Sequence, residues 1–320
     1  MTMIRLLPLG VATLLLVIAP SFMNDGQMAL GMEMFTVLII CSMWNFLAGY
    51  GGLVSLGHQA YFGIGGYATF LVSNSLDIHP FLTLPLAALA PGIIALILSP
   101  LMFRLKDAYF AIGSWVLAEV IFIVVQRSDT LGGITGMPLF TGGMLGADVY
   151  RNVFWLSGGV ALALTVGAYL LLRSGFGLGL MSVRDNEVAA ASVGVDVTRN
   201  RRYAYVVSAA GVGLAGAIYL LPNYFIQPGT AFSAEWTVVM TFVVVIGGIG
   251  TLEGPILGTI LYFIIRQGVT NGLGLDGSWY LVALGAVAIL TMLVAPKGLW
   301  PVLRDRLGVE WLSVRRSYPN

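Results

Sequence analysis

Charged side chains are scarce in this chain: they make up 10% of its 320 residues, whereas 58% of the residues are hydrophobic. The mean hydropathy is +0.90. Soluble domains carry about 25% charged residues, so a composition this poor in charge excludes an ordinary soluble domain. A net charge of +1 gives no electrostatic reason to bind nucleic acid. These values predict a polytopic membrane protein whose basic residues matter by their position.

Reactive and metal-binding side chains are equally few, with one cysteine and two histidines. Cys41 lies in an apolar run, where it is expected to be a small buried side chain. The sequence contains neither a His-Glu-x-x-His motif nor a Gly-x-x-x-x-Gly-Lys-Ser/Thr motif. We therefore expect no metal, no cofactor, no P-loop for ATP and no enzymatic activity in this chain.

Apolar runs divide the chain into membrane spans, since a helix needs about 20 predominantly apolar residues to cross the hydrocarbon. The sequence predicts an all-α polytopic fold with about ten transmembrane helices. The first run is taken as a retained span and not as a signal peptide. Arg266 interrupts the ninth span, where it must reach an interface or face the protein interior. The ten runs are 6–23, 29–48, 56–76, 81–103, 108–126, 153–172, 203–224, 234–249, 255–272 and 278–296.

The lysines and arginines predict the orientation of these spans, because basic residues favour cytoplasmic loops. With both termini in the cytoplasm, only Arg127 and Arg151 lie in an outer loop, and Arg266 lies near the outer end of its span. We expect a multi-pass protein of the bacterial inner membrane, in contact with lipid. The cytoplasmic basic residues would then be Arg5, Arg104, Lys106, Arg173, Arg184, Arg199, Arg201, Arg202, Lys297, Arg304, Arg306, Arg315 and Arg316.

Many of the 41 glycines cluster in two places that share a Gly-Gly-aliphatic-x-Ser/Thr-Leu pattern. One cluster begins at Gly51-Gly52 and the other at Gly247-Gly248, and both fall on the cytoplasmic side of the predicted topology. Transporters use glycine-interrupted spans to build unwound backbone at the solute path. The four residues are therefore predicted to be hinges or path-lining backbone, with φ values that only glycine adopts easily. The alternative is that they permit close helix contact.

Three polar residues complete the candidate translocation path: Ser55 in the first glycine cluster, and His58 and Glu119 inside predicted spans. A charge at the centre of a spanning helix costs about 2.5 to 3.5 kcal/mol, so Glu119 must be protonated, paired or in contact with water or solute. Its partner would be a backbone group or an amide such as that of Asn45. His58 either binds solute or forms a hydrogen bond to a neighbouring helix.

The longest polar segment, residues 173–202, is predicted to form a short cytoplasmic helix over 182–194. Ser182 would cap its start, Asp185 and Glu187 would favour its first turn, and Gly194 would end it. Helical spacing places a smooth surface on one side, suited to a groove in another protein. That surface comprises Glu187, Ala190, Ala191 and Gly194. The alternative is a solvated loop whose charges only set the topology.

Several motifs, in order, make this chain resemble the permeases of branched-chain amino-acid ABC importers, of the LivM type. They cover about residues 35 to 300. The matching segments are GYGGLVSLGHQAYFGIGGYATF (49–70), DAYFAIGSWVLAEV (107–120), LGGITGMP (131–138), RDNEVAAASVGVD (184–196), SAAGVGLAGAIY (208–219), VIGGIGTLEGPILGT (245–259) and APKGLW (295–300).

The resemblance implies an importer permease fold in a single domain, 1–320, with a coupling loop at 173–202 and a cytoplasmic tail at 297–320. It implies three kinds of partner: a LivH-like second permease, two LivG/LivF-like cytoplasmic ATPases and an extracytoplasmic solute-binding protein. The solute would be a branched-chain or related amino acid, or an amide or urea-like compound. The residues expected to couple to the ATPases are Arg184, Asp185, Asn186, Glu187, Ala190, Ala191 and Gly194.

Two other function classes remain open from the residues alone. An ion-coupled secondary transporter would bind protons or sodium at several buried acids, whereas Glu119 stands nearly alone among the predicted spans. An intramembrane enzyme would need a catalytic constellation, and the sequence offers none. Co-purified ATPase subunits would distinguish the importer permease from both alternatives.

Overall fold

The computed structural model describes residues 10, 13–272, 274, 278–307 and 312, and this part of the chain is predominantly helical. Residues 13–18 are helical and lead into a 3-10 turn at Ala19–Ser21. We number the helices that follow α1 to α13. They are α1 Asp25–Asn45, α2 Gln59–Leu76, α3 Leu84–Met102, α4 Asp107–Arg127, α5 Val149–Arg173, α6 Gly175–Asp185, α7 Glu187–Ser192, α8 Val197–Leu220, α9 Pro228–Ala231, α10 Ala234–Gly247, α11 Gly254–Gln267, α12 Trp279–Val294 and α13 Leu299–Leu307.

Among the described residues, six helices are long and apolar enough to cross a membrane: Asp25–Tyr50, Pro80–Met102, Asp107–Arg127, Val149–Arg173, Val197–Asn223 and Pro228–Gly247. Helices α12 and α13, bent by 50° at their junction, add a seventh if they count as one span. Helices α2 and α11 coincide with predicted spans without meeting that criterion. The polytopic helical class is confirmed, and the count of ten stays a prediction because the first span falls partly outside the described residues.

Helix α8 lies at the centre of the bundle, packed against α2 and α3, and most of its span is buried. Glycine makes this packing close. A Cβ atom at Gly65 of α2 would lie 2.0 Å from the carbonyl oxygen of Gly213, and one at Gly216 would lie 2.1 Å from the carbonyl oxygen of Phe62. Backbone therefore touches backbone between α2 and α8, as small residues allow in membrane bundles. Around this contact lie the largest buried side chains, among them Trp44, Tyr61, Phe62, Phe70 and Tyr205.

One end of the bundle is closed by the segments that follow α4 and α8. A two-stranded antiparallel sheet pairs β1, Met137–Pro138, with β2, Phe225–Ile226. Ser73 and Thr141 share a hydrogen bond of 2.6 Å, and the ring of His79 lies 3.0 Å from the carbonyl oxygen of Met144. His79 also accepts a hydrogen bond from the amide of Phe81, so it begins a helical turn as a capping residue. This end carries the segments predicted to lie outside the cell.

At the opposite end, residues 173–202 depart from the predicted single helix over 182–194. Helix α6 ends at Asp185, and Asn186 caps a separate helix α7, its side chain accepting a hydrogen bond from the amide of Ala189. Ser182 does not cap a helix, because its hydroxyl donates to the carbonyl oxygen of Leu178 within α6. Gly194, with φ +86°, ends the segment as predicted. The sequence analysis did not anticipate this break. The Asn186 side chain binds a backbone amide of the following turn and so begins a new helix.

Candidate functional site: the glycine junction

The two glycine clusters meet each other in the structure. The amide of Asn45 joins them: its nitrogen donates to the carbonyl oxygen of Thr251 at 2.7 Å, and its oxygen accepts from the amide of Gly250 at 2.8 Å. A Cβ atom at Gly49 would lie 2.5 Å from the backbone nitrogen of Gly250, so the two backbones are in direct contact. We call Asn45, Gly49–Gly52 and Gly248–Thr251 the glycine junction.

In each half of the junction, the chain breaks between two helices. The α1 helix continues as a π-helical turn, Phe46–Tyr50, and the chain then runs without helix until α2. Helix α10 ends at Gly247, and α11 begins at Gly254 after a similar break. The shared Gly-Gly pattern therefore marks two helix–break–helix arrangements, which lie at the same end of the bundle. Because π-helical turns are rare and frequent at functional sites, the junction is the leading candidate for a moving element.

The four predicted hinge glycines differ in what they require. Gly52 and Gly248 have φ values of +70° and +130°, which side-chain-bearing residues rarely adopt. Gly51 has φ −93°, and a Cβ atom there meets its nearest side chain at an ordinary 3.4 Å. Gly247 lies in α10, and a Cβ atom there would lie 1.9 Å from the carbonyl oxygen of Gly254. The predicted glycine-only φ is therefore wrong for Gly51 and Gly247: Gly247 serves close packing, and Gly51 serves neither purpose.

This difference makes the Gly→Ala series a graded test. Gly52→Ala and Gly248→Ala are expected to destabilise the junction by about 1 to 2 kcal/mol each, the cost of a left-handed conformation with a Cβ atom. Gly51→Ala is the matched control and should behave like the wild type. The measurement is thermal unfolding of the purified protein in detergent. Equal midpoints for Gly51→Ala and Gly52→Ala would contradict the assignment.

The remaining predicted path residues are placed in different surroundings. Ser55 is buried, and its carbonyl oxygen accepts a 2.8 Å hydrogen bond from the indole of Trp44. His58, the residue before α2, is buried, with its Nε2 2.8 Å from the hydroxyl of Ser208 on α8. That hydroxyl donates to the carbonyl oxygen of Met43, so His58 Nε2 carries the proton and donates to Ser208. For His58 the structure favours a helix-to-helix hydrogen bond.

Glu119 lies apart from the glycine junction, on α4. It is half-buried and forms no hydrogen bond or ion pair with the part of the chain that the structure describes. The predicted pairing with the Asn45 amide is wrong, because that amide joins the two glycine segments. Neighbouring apolar side chains of α4, Trp115 and Val116 among them, are about half exposed. Of the six membrane-length helices, α4 is the least buried, so Glu119 lies on the most open one.

The predicted coupling surface on α7 also differs from expectation. Ala190 is 3% exposed and packs into its own chain, so it does not lie on the outer surface. Glu187 forms an ion pair of 3.0 Å with Arg201. Ala191 and Gly194 are exposed, as are Asp185 and Asn186. Of the four residues predicted to form one exposed surface, Ala190 is therefore buried against its own chain, and the other three are exposed.

Two residues that the sequence reading missed dominate the exposed surface of this segment. Val188 is 75% exposed and Val193 is 79% exposed, flanking Ala191 and Ser192. Two branched apolar side chains this open to water, five residues apart on one short segment, point to a contact surface. No local signal in the sequence singles out these valines, since alanines separate them, and the exposed side of α7 is decided by how that helix packs.

Arg184 reaches inward from α6 to the glycine junction. Its Nη1 donates a 2.9 Å hydrogen bond to the carbonyl oxygen of Gly49. Its Cγ would lie 3.0 Å from a Cβ atom at Gly52, and its Nη1 3.5 Å from one at Gly250. The guanidinium also bonds to Asp185. The polar segment and both glycine clusters thus form one connected site at one end of the bundle.

Comparison with known proteins agrees with this architecture. The chain matches the family described as the permease component of the branched-chain amino acid transport system over residues 27–292. It belongs to that family. LivM permeases of the high-affinity branched-chain amino acid transport systems of Salmonella typhimurium and Escherichia coli are each 27% identical to it. The alignments cover 92% and 94% of this permease, and 76% of each relative.

An archaeal relative, a probable LivH permease of Methanocaldococcus jannaschii, is 25% identical over 79% of this permease and 82% of its own length. No solved structure matches the chain. The resemblance derived from the motifs is therefore confirmed, and the protein is a helical transport permease of this family. Its homologues are transport components and not enzymes.

The permease also contains an ion pair that the sequence reading left unassigned. Arg266 of α11 contacts Glu33 of α1 at 2.5 Å, and its guanidinium lies over the ring of Tyr280. Arg266 was predicted either to reach an interface or to face the protein interior. In the structure it faces the interior. Glu33 lies eight residues after the start of α1, within a helix of membrane length. Sequence alone could not pair two residues 233 positions apart.

Proposed function

We propose that this permease forms, with a second permease of the LivH kind, the translocation path of an ABC importer for branched-chain or related amino acids. Two cytoplasmic ATPases supply the energy for transport along this path, and an extracytoplasmic binding protein delivers the solute. The observation that carries the proposal is the connection from an exposed apolar surface on α7, through Arg184, to the glycine junction. An importer permease without a P-loop would receive the energy of ATP through such a contact with its ATPases.

The distribution of basic residues supports the orientation that this function needs. Lys106 and Arg201 line one cleft with Gly52, and Arg184 and Lys297 border the two halves of the junction. Arg127 and Arg151 belong to the segments near the opposite end. We propose that the basic end is cytoplasmic, that both termini lie there and that the chain crosses the membrane ten times.

The docking surface is tested by charge. Val188→Asp and Val193→Asp are each expected to reduce co-purification of the ATPase subunits by about tenfold, because a carboxylate must lose its water to enter an apolar groove. Thr198→Asp, an equally charged change at an exposed position near the start of α8, is the matched control. The measurement is the amount of ATPase captured with tagged permease from membranes. Undiminished capture by both valine variants would reject this docking surface.

The orientation is tested by labelling single cysteines in a Cys41→Ser background. The outer position is Ile134, which is 75% exposed, and the inner position is the exposed Ser192. Ile134→Cys should react with an impermeant thiol reagent in intact cells, and Ser192→Cys only in inverted vesicles. Reaction of both from the same side would overturn the topology.

A further inference from the structure

Arg184 occupies a position that docking on an ATPase does not explain. The permease resemblance puts it among the residues that contact the ATPase, yet the structure directs its guanidinium into the chain. Nη1 donates to the carbonyl oxygen of Gly49 at 2.9 Å, while Nε and Nη2 contact Asp185 at 2.9 and 2.7 Å. The side chain therefore links the last residue of α6 to the π-helical turn after α1.

The Arg184 side chain also contacts the first glycine segment at Gly52, and it lies beside the second glycine segment. Its Cγ would make a tight contact of 3.0 Å with a Cβ atom at Gly52, and its Nη1 lies beside Gly250. Asn45 fixes Gly250 and Thr251 to the end of α1 with two hydrogen bonds. A displacement of α6 and α7 thus reaches both halves of the junction through one guanidinium, because Asn45 joins those halves.

We propose that Arg184 is a positioning residue that transmits movement of the coupling segment, α6 and α7, to both glycine segments at once. This inference depends on the proposed coupling to ATPases. It assigns separate roles to neighbouring residues: Val188 and Val193 face the ATPase, whereas Arg184 faces the membrane helices. The glycines fit this role: Gly52 and Gly250 have φ values of +70° and +74°, and a Cβ atom at Gly49 would lie 2.5 Å from the backbone nitrogen of Gly250.

The test follows movement at the two ends of this link in the complete complex with its ATPases. Spin labels at Ser192 on α7 and at Ile249 in the second glycine segment are each paired with a label at Ile134, at the opposite end. Distances are measured without nucleotide and with ATP plus vanadate. In the wild type both distances should change. In Arg184→Ala the distance from Ser192 should still change, and the distance from Ile249 should not.

Two further variants make the result specific. Arg199→Ala removes an exposed guanidinium from the same end, one that stacks on Tyr203, and both distances should change as in the wild type. Arg184→Lys keeps a donor within reach of the Gly49 carbonyl oxygen and should restore part of the movement at Ile249. The restoration should be incomplete, because an ammonium lacks the second arm that contacts Asp185. Stimulated ATP hydrolysis should persist in Arg184→Ala.

The outcomes separate this inference from the function on which it depends. If the wild-type permease does not assemble with ATPases, the proposed function fails. If it assembles and Ile249 moves in Arg184→Ala as in the wild type, or moves in neither, the link is rejected while the function stands. Loss of ATPase binding in Arg184→Ala would also reject it, by making Arg184 a docking residue.

Discussion

Gly65→Val is expected to prevent accumulation of folded permease. A Cβ atom at Gly65 would lie 2.0 Å from the carbonyl oxygen of Gly213 and 2.6 Å from its Cα. These atoms belong to the backbone of α8 and cannot rotate away, so the two central helices must separate. Overpacking costs about 1 to 3 kcal/mol where side chains can adjust, and the cost here should exceed that range.

The measurement is the yield of monodisperse protein in detergent and its thermal unfolding midpoint. Gly159→Val is the matched control, because Gly159 is an exposed glycine of α5 with no atom near its Cβ position. It should express and unfold like the wild type. A Gly65→Val protein as stable as the control would show that α2 and α8 are not packed as the structure describes.

Glu33→Ala should produce the second large effect, by leaving Arg266 without its partner inside a membrane-length helix bundle. Removing one member of a buried ion pair costs about 3 to 5 kcal/mol, and Glu33 and Arg266 are mostly buried, with side chains 18% and 32% exposed. We expect about 3 kcal/mol, because exposure lessens the penalty. Thermal unfolding and yield in the same detergent provide the measurement.

Two comparisons define the ion pair's contribution. Asp148→Ala breaks the exposed pair with Arg151, whose side chains are 61% and 45% exposed, and should cost at most about 1 kcal/mol. The double variant Glu33→Gln and Arg266→Gln leaves no unpaired charge and should recover part of the loss. If Glu33→Ala costs no more than Asp148→Ala, the pair does not hold α1 to α11.

Much of the architecture followed from local sequence patterns. The apolar runs correspond to helices over most of the described chain, since a helix in hydrocarbon satisfies its own backbone and needs only an apolar surface. Cys41 is buried as expected. The motifs from residue 49 to residue 300 identified the family correctly. These properties depend on residues close together in the chain, which is why they could be predicted.

Predictions of side-chain partners were less successful. Asn45 was considered as a partner for Glu119 and instead joins Gly250 and Thr251, more than 200 positions away. Ala190 was expected on the surface and is buried, since that side of α7 packs against its own chain. Both errors concern which groups meet across the fold, in the second case which side of α7 packs against its own chain, and a helical pattern does not contain that information.

The sequence by itself determined the family, the helical membrane class and the positions of the glycine clusters, because composition, hydrophobic run length and motif order are local properties. The tertiary structure decided that the two clusters form one junction, that Arg184 enters it and that Arg266 pairs with Glu33. It also separated Gly52 and Gly248, which need a positive φ, from Gly247, which needs space. Long-range contact and backbone conformation at a break are fixed only when the helices pack.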